Sequence, residues 1–262
     1  MSAESFSSHS TVNDSQPPVL FLFLGASNLA RSYCGLKSCI TRCLSPRSVS
    51  FIHALGPGRG YIREGGIFNV VYPPILNCGI FEGVPGRGDQ QVVALITDIG
   101  NDIMYGVPAK EIIAGLRSIF ATLREAEARI FITLIPVNLQ DDIDEFYFRA
   151  LRRIFFPSST VAYDQASEAV REINKFILES ANENLKVIGG LEQYCGFDKI
   201  HYSLLKSCSA WSYIASNLTD SLGTTASPDM KISETAVSLA SNLARIFFTD
   251  MLGIMNKTNE TF

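Results

Sequence analysis

The stretch VLFLFLGASN (residues 19–28) decides the fold class. Its first six residues are apolar without alternation, which is typical of a β-strand buried on both faces of a parallel sheet. A glycine, an alanine and Ser27 follow at once. In open parallel α/β sheets, ligands bind at the carboxyl ends of the strands. The stretch therefore predicts a buried strand with a candidate functional side chain, Ser27, at its carboxyl end.

Similar strands recur along the chain and alternate with helical patterns. Further strands are predicted at 48–55, 91–96, 129–137 and, more weakly, 185–188. Helices are predicted at 108–128, 164–183, 203–218 and 232–252, with Asp164 as the N-cap of the second. This alternation predicts an α/β fold with a parallel central sheet of about five strands and helices on both faces.

Length and composition favour a single globular domain. The chain has 262 residues, of which 47% are hydrophobic and 18% charged. We expect one domain over residues 18–255, a disordered Ser-rich lead over 1–17 and a flexible tail over 256–262. The formal net charge is -4 and no basic block exceeds a pair of arginines, so no nucleic-acid partner is expected.

The N-terminus and the cysteines bear on the cellular setting of the protein. The lead has neither a cationic start nor an apolar core, and no apolar run approaches the ~20 residues that span a bilayer. A soluble, cytoplasmic protein with no membrane span is expected. The six cysteines match no common zinc pattern, so they are interpreted as reduced thiols, and no metal or cofactor is predicted.

Only one of the three histidines falls in a predicted loop. His9 lies in the lead and His53 in a predicted strand, which leaves His201. A serine hydroxyl needs an adjacent base to act as a nucleophile, and that base needs an orienting carboxylate. Asp198, three residues before His201, is a candidate for the carboxylate. Taken alone, a D-x-x-H sequence is more simply a capping aspartate beside a surface histidine.

Four short blocks, each after a predicted strand, carry a resemblance. They are GAS (25–27), GPGRG (56–60), GND (100–102) and DKIH (198–201). In this order the set resembles the SGNH or GDSL hydrolases, over residues 19 to about 205. The resemblance implies a flavodoxin-like three-layer fold. It also implies a serine esterase that needs no cofactor and acts on a small-molecule, carbohydrate or lipid ester.

The resemblance also assigns roles to individual residues. It implies a nucleophile at Ser27, a base at His201 and an orienting carboxylate at Asp198. It implies an oxyanion hole made of the backbone N–H groups of Ser27 and Gly58 and the side-chain amide of Asn101.

The blocks depart from the family pattern at three points. Ala26 replaces the aspartate of the family's G-D-S, and Asn28 replaces its leucine. In GND the glycine directly precedes Asn101, whereas the family usually leaves one residue between them. Within the second block, Gly56 and Gly60 remain alternatives to Gly58 as the backbone donor.

Three other protein classes could contain a serine at the end of the first strand. An α/β-hydrolase is rejected because position 29 is leucine, so the G-x-S-x-G elbow is absent. A flavodoxin-like module that binds an anion or flavin at the helix after the first strand stays open. So does an inactive relative that only binds acylated ligands. Four phenylalanines at 146, 148, 155 and 156 fit either an acyl pocket or the core, and the core is favoured.

Overall fold

The fold is that of a computed structural model, which describes residues 16–67, 70–82, 84, 90–224, 226–251 and 262. Most of the predicted lead (1–17) and tail (256–262) lies outside the described residues. Within the described part, no helix is both long and apolar enough to cross a membrane.

A five-stranded parallel sheet forms the centre of the fold. Its strands stand in the order β2-β1-β5-β6-β7, and a short antiparallel hairpin, β3-β4, lies apart from it. The bounds are β1 (Val19–Leu24), β2 (Val49–Ala54), β3 (Gly65–Ile67), β4 (Val70–Tyr72), β5 (Gln91–Ile96), β6 (Arg129–Thr133) and β7 (Leu185–Ile188). The prediction of a parallel sheet of about five strands is confirmed.

Helices cover both faces of the sheet. They are α1 (Ser27–Leu44), α2 (Asn101–Met104), α3 (Ala109–Glu125), α4 (Leu139–Asp142), α5 (Glu145–Phe155), α6 (Tyr163–Glu179), α7 (Ser207–Asp220) and α8 (Ile232–Ala244). α1 and α7 pack on one face and α3 and α6 on the other, with α8 against the outer side of α1. The result is the expected three-layer arrangement.

The apolar run of β1 is explained by these two layers. Leu20, Leu22 and Leu24 belong to the core beneath α3 and α6, whereas Phe21 and Phe23 belong to the core beneath α1 and α7. Successive side chains of a strand point to opposite faces, so a strand in the middle of the sandwich has to be apolar at every position. All of β1 is fully buried.

Some predicted boundaries were wrong for identifiable reasons. β6 ends at Thr133 rather than at 137, because Ile135 exchanges hydrogen bonds with the side chain of Asn174 on α6 (2.9 and 3.0 Å) and the following Pro136 has no N–H. Asp164 is not the N-cap of α6. The cap is Ala162, and Asp164 lies in the first turn, where a carboxylate favours the helix dipole.

Two other helical segments differ from the prediction. The segment 232–252 divides into α8 and a π-helical turn, Arg245–Met251. The sequence pattern did not predict α5 as a separate helix. Its side-chain cap, Asp144, accepts a hydrogen bond from the Tyr147 N–H.

The connections between strands place a crevice at one edge of the sheet. From β1 the chain passes to β2 on one side, and β5, β6 and β7 then extend the sheet on the other. The loops that follow β1 and β5 therefore separate at their carboxyl ends, which is where open α/β sheets bind ligands. Ser27 follows β1, and residues 97–102 follow β5.

Candidate active site

Ser27, His201 and Asp198 form a continuous chain of hydrogen bonds. The Ser27 Oγ lies 2.9 Å from the His201 Nε2, and the His201 Nδ1 lies 2.7 Å from the Asp198 Oδ2. A carboxylate can only accept, so Nδ1 carries the proton and Nε2 is left to accept from the serine hydroxyl. Ser27 and His201 are 174 residues apart in the sequence, and the fold brings them into contact.

The turn that presents His201 is held by the same carboxylate. The Asp198 Oδ1 accepts hydrogen bonds from the backbone N–H groups of Ile200 (3.1 Å) and His201 (2.9 Å). Asp198 thus caps its own turn and also contacts the imidazole, so the two interpretations of D-x-x-H describe different oxygens of one side chain. Burial raises the pKa of Asp198, but the hydrogen bonds from His201 and Ile200 outweigh it, and the net shift is downward.

The start of α1 is capped by a residue from the loop after β5. The Asp98 Oδ2 accepts from the backbone N–H groups of Ala26 (3.0 Å), Asn28 (3.0 Å) and Leu29 (3.2 Å). Asp98 reaches this position with a left-handed backbone, φ 59°. Among the described residues, the N–H of Ser27 has no hydrogen-bond acceptor, although both of its neighbours do. The cap therefore leaves this one donor available beside the Ser27 hydroxyl.

Asn28 joins the three segments that build the site. Its Nδ2 donates to the Asp98 Oδ1 (2.9 Å) and to the Ile200 carbonyl (3.1 Å). Its Oδ1 accepts from the Tyr202 N–H (3.0 Å) and from Arg31 Nη2 (2.9 Å). The residues on either side of His201 are therefore fixed to the helix that carries Ser27. Asn28 is 4% exposed, so these bonds are screened from water.

Asn101 follows β5, the strand that pairs with β1 in the sheet. It begins α2, and its Nδ2 donates to the Arg59 carbonyl (2.9 Å), which uses one of the two amide hydrogens. The next residue, Asp102, is fully buried and accepts from the N–H groups of residues 61–63. Burial raises the pKa of Asp102, and these backbone hydrogen bonds oppose the rise.

Gly58 lies in a tight turn. The Arg59 N–H donates to the Gly56 carbonyl (3.0 Å), and Gly58 has φ 73° after Pro57, as in a type II β-turn. A side chain at position 58 would lie 2.8 Å from the Gly66 carbonyl oxygen, so the site requires glycine. The turn does not use the Gly58 N–H, and the Tyr105 hydroxyl holds the Gly58 carbonyl.

An apolar cavity opens beside Ser27. The empty space there is about 930 Å³ when the open solvent at its mouth is included. Ser27 and Asn101 line it, whereas Gly58 does not border it in the described part of the chain. α5 forms one wall, and its Phe155 ring lies 5.5 Å from the His201 ring. Of the four phenylalanines considered above, three line the cavity and Phe146 is exposed.

The roles of Asp98 and Asn28 were not predicted from the sequence. Asp98 was visible only as one of several polar residues after β5, and Asn28 only as a departure from the family pattern. Both act on residues more than 65 positions away through backbone groups, which no local spacing reveals. Their one local signal is their position. Asp98 lies in the loop that joins β5 to Asn101, and Asn28 directly follows Ser27.

Comparison with known proteins supports the fold. No family model matches the chain, and no curated protein sequence matches it. Among solved structures it is similar to a carbohydrate acetylesterase family member from Sinorhizobium meliloti, with 12% identity, a TM-score of 0.52 and coverage of 78% of this chain and 100% of the other. It is also similar to the aryl esterase of M. smegmatis, with 9% identity, a TM-score of 0.51 and coverage of 77% and 99%. The fold is SGNH/GDSL hydrolase-like.

Proposed function

We propose that this protein is a serine esterase that hydrolyses a carboxylic ester. The observation that carries the proposal is the unbroken hydrogen-bonded chain from Ser27 Oγ through both nitrogens of His201 to Asp198. A hydroxyl, an imidazole and a buried carboxylate at these distances are the parts that nucleophilic acyl transfer requires. The esterases among its structural neighbours agree with this chemistry.

The reaction follows from the order of these groups. His201 takes the proton of the Ser27 hydroxyl as its oxygen attacks the carbonyl carbon of the ester. His201 then gives that proton to the leaving alcohol, and the acyl group stays on Ser27. A water molecule, deprotonated by His201, attacks the acyl-serine and releases the acid. Asp198 holds the imidazole in the required tautomer and stabilises its charged form.

Three donors are proposed to stabilise the negative oxygen of the tetrahedral intermediates. They are the N–H of Ser27, the N–H of Gly58 and the second amide hydrogen of Asn101. Asp98 supports the first assignment because it occupies the neighbouring N–H groups and not this one. The open N–H of the type II turn supports the second, and the Arg59 carbonyl, which fixes the Asn101 amide, supports the third.

An anion- or flavin-binding module is less compatible with the start of α1. A bound phosphate or flavin phosphate would use the N–H groups there. Asp98 already accepts three of them, and its negative charge would repel a second anion. An inactive acyl-binding relative is disfavoured because Ser27 and His201 lie within hydrogen-bonding distance.

The proposal is tested with a serine-directed fluorophosphonate and the 4-nitrophenyl ester of butanoate. We expect the reagent to label Ser27 in the wild-type protein and to abolish hydrolysis, with no labelling in Ser27→Ala. Ser203→Ala, which alters a serine two residues beyond His201, is the matched control and should be labelled normally. Hydrolysis that persists in Ser27→Ala, or a label on a different serine, would reject this nucleophile.

A further inference from the structure

One wall of the cavity beside Ser27 carries a cation. α5 turns Phe148, Leu151, Arg152 and Phe155 toward this space. The rest of the lining is mostly aliphatic, including Ile135, Val137 and Val170. A guanidinium among apolar side chains costs desolvation free energy unless its donors are satisfied.

Only part of the Arg152 guanidinium is satisfied by protein atoms. Its Nη1 donates to the Val161 carbonyl, which lies just before α6. The Nε is buried and has no hydrogen-bond partner among the described residues. The described residues likewise place no hydrogen-bond acceptor at Nη2, and none of their carboxylates forms an ion pair with Arg152. The Nε and Nη2 hydrogens point along the same edge of the planar group, so this edge is without a hydrogen-bond partner among the described residues.

That edge has the geometry of a carboxylate site. Arginine and a carboxylate pair through two parallel N–H···O bonds, and the Nε–Nη2 edge is one of the two edges that can do so. The Val161 carbonyl binds the opposite side of the guanidinium, so the orientation of the unpaired edge is already fixed. In apolar surroundings such a charged hydrogen bond is stronger than it is in water.

We propose that the cavity binds the acyl group of the substrate and that Arg152 binds a carboxylate at the far end of that acyl group. The substrate class is thus a monoester of a dicarboxylic acid, with an apolar chain between the ester and the free carboxylate. This inference rests on the proposed esterase function, since Ser27 and Arg152 line the same cavity.

The test compares matched pairs of 4-nitrophenyl esters that have equal chain lengths. The monoesters of succinate, glutarate and adipate are paired with the esters of butanoate, pentanoate and hexanoate. Rates are corrected for spontaneous hydrolysis, because a neighbouring carboxylate can attack its own ester. The measured quantity is the ratio of kcat/KM for each pair. We expect the ratio to favour the dicarboxylate at one chain length at least.

Substitution of Arg152 should remove this preference. In Arg152→Met the ratio at that length should fall by roughly tenfold to a hundredfold, the worth of a hydrogen bond to a charged group. Arg152→Lys keeps the charge but lacks the paired edge, so its ratio should fall to an intermediate value. Arg153→Met removes an exposed arginine from the same helix and should keep the wild-type ratio. Fluorophosphonate labelling of Ser27 shows that each variant is folded.

Two results would overturn the inference. One is a wild-type preference for the neutral ester at every length, and the other is an unchanged ratio in Arg152→Met. A second measurement needs neither turnover nor an Arg152 variant. Calorimetry on Ser27→Ala should show that the free dicarboxylate of the preferred length binds more tightly than its monocarboxylate partner. If no ester is hydrolysed through Ser27 but this binding difference is found, the esterase proposal fails and the Arg152 site stands.

Discussion

The two sides of the cavity are built on different principles. On the side of β1, β5 and the turn at 196–202, hydrogen bonds join distant segments of the chain, and the Asn28 side chain alone makes three of them. On the α5 side the lining consists of apolar side chains and one charged residue, Arg152, whose guanidinium is only partly hydrogen-bonded. Buried hydrogen-bond networks fix one geometry, whereas apolar contacts accept a range of shapes.

This difference suggests a division of roles. The polar side would perform the same chemical steps on any ester, and the α5 wall would decide which acyl group reaches Ser27. Substitutions on the polar side should therefore lower the rate for all esters by a common factor. Substitutions on the wall should change the order of preference among esters.

The largest effect is expected at the base. His201→Ala should lower kcat/KM by about 10⁴-fold or more for short and long acyl esters alike, because Ser27 loses its proton acceptor. The wild-type rate should rise with pH and show an inflection, because a general base must lose its proton before it can act. That inflection should be absent in His201→Ala. Steady-state pH–rate profiles check both points, and an inflection that survives the substitution would assign the base to another group.

A smaller loss of rate, again shared by all esters, is expected when the oxyanion donor is removed. Asn101→Ala should lower kcat by about 10²–10³-fold through the loss of one transition-state hydrogen bond. KM should change little, because the donor acts on charge that develops only during the reaction. The pH inflection should remain, since His201 is untouched. Near-wild-type turnover would show that Asn101 only supports the Arg59 loop, and a factor that depended on acyl length would contradict the division of roles.

The network at Asn28 should affect both rate and stability. Asn28→Leu restores the apolar residue of the family pattern but removes four hydrogen bonds and leaves an oxygen of Asp98 without its donor. We expect kcat to fall by roughly tenfold to a hundredfold as His201 loses its fixed position. The Tm should fall by several degrees, as for a loss of about 1–3 kcal/mol in a domain of this size.

The control for Asn28 is Asn217→Leu. The Asn217 side chain donates to the Tyr213 carbonyl within α7, far from Ser27 in the chain. Its kcat should match the wild type. Equal effects of the two substitutions would mean that Asn28 contributes to general stability and does not position His201.

The smallest effect is expected at Phe155, an apolar residue of the α5 wall. Phe155 contacts the His201 ring and is 36% exposed, so Phe155→Ala should leave the Tm close to that of the wild type. The relative kcat/KM of long and short acyl esters should shift by no more than about tenfold, because it depends on the loss of apolar contact. An ester panel of varied acyl length measures this shift. A uniform loss over the whole panel would assign Phe155 to the support of His201 instead.

The parts of the molecule that the sequence revealed are those governed by local patterns. The run at β1 is apolar at every position because both faces are buried, and periodicity was enough to find it. Ser27, Asn101 and His201 could be named as candidates because each comes after a predicted strand, in a block that resembles the family pattern. Asp98 and Asn28 were not found, because their roles depend on backbone groups brought together only by the fold. α5 was missed as a helix because its cap and its apolar positions lie within one polar-aromatic run that also fits a loop.

The Asp98 cap also has a consequence for how sequences of this kind vary. An acidic residue at position 26 would place a second carboxylate beside the one that already occupies the start of α1, and the two charges would repel each other. In related chains, we expect an acid at one of these two positions to exclude an acid at the other. A search that demands the aspartate within the first block passes over every chain that has moved this charge to the loop after β5. What is conserved would then be one negative charge at the start of α1, whereas the sequence position that supplies this charge would vary.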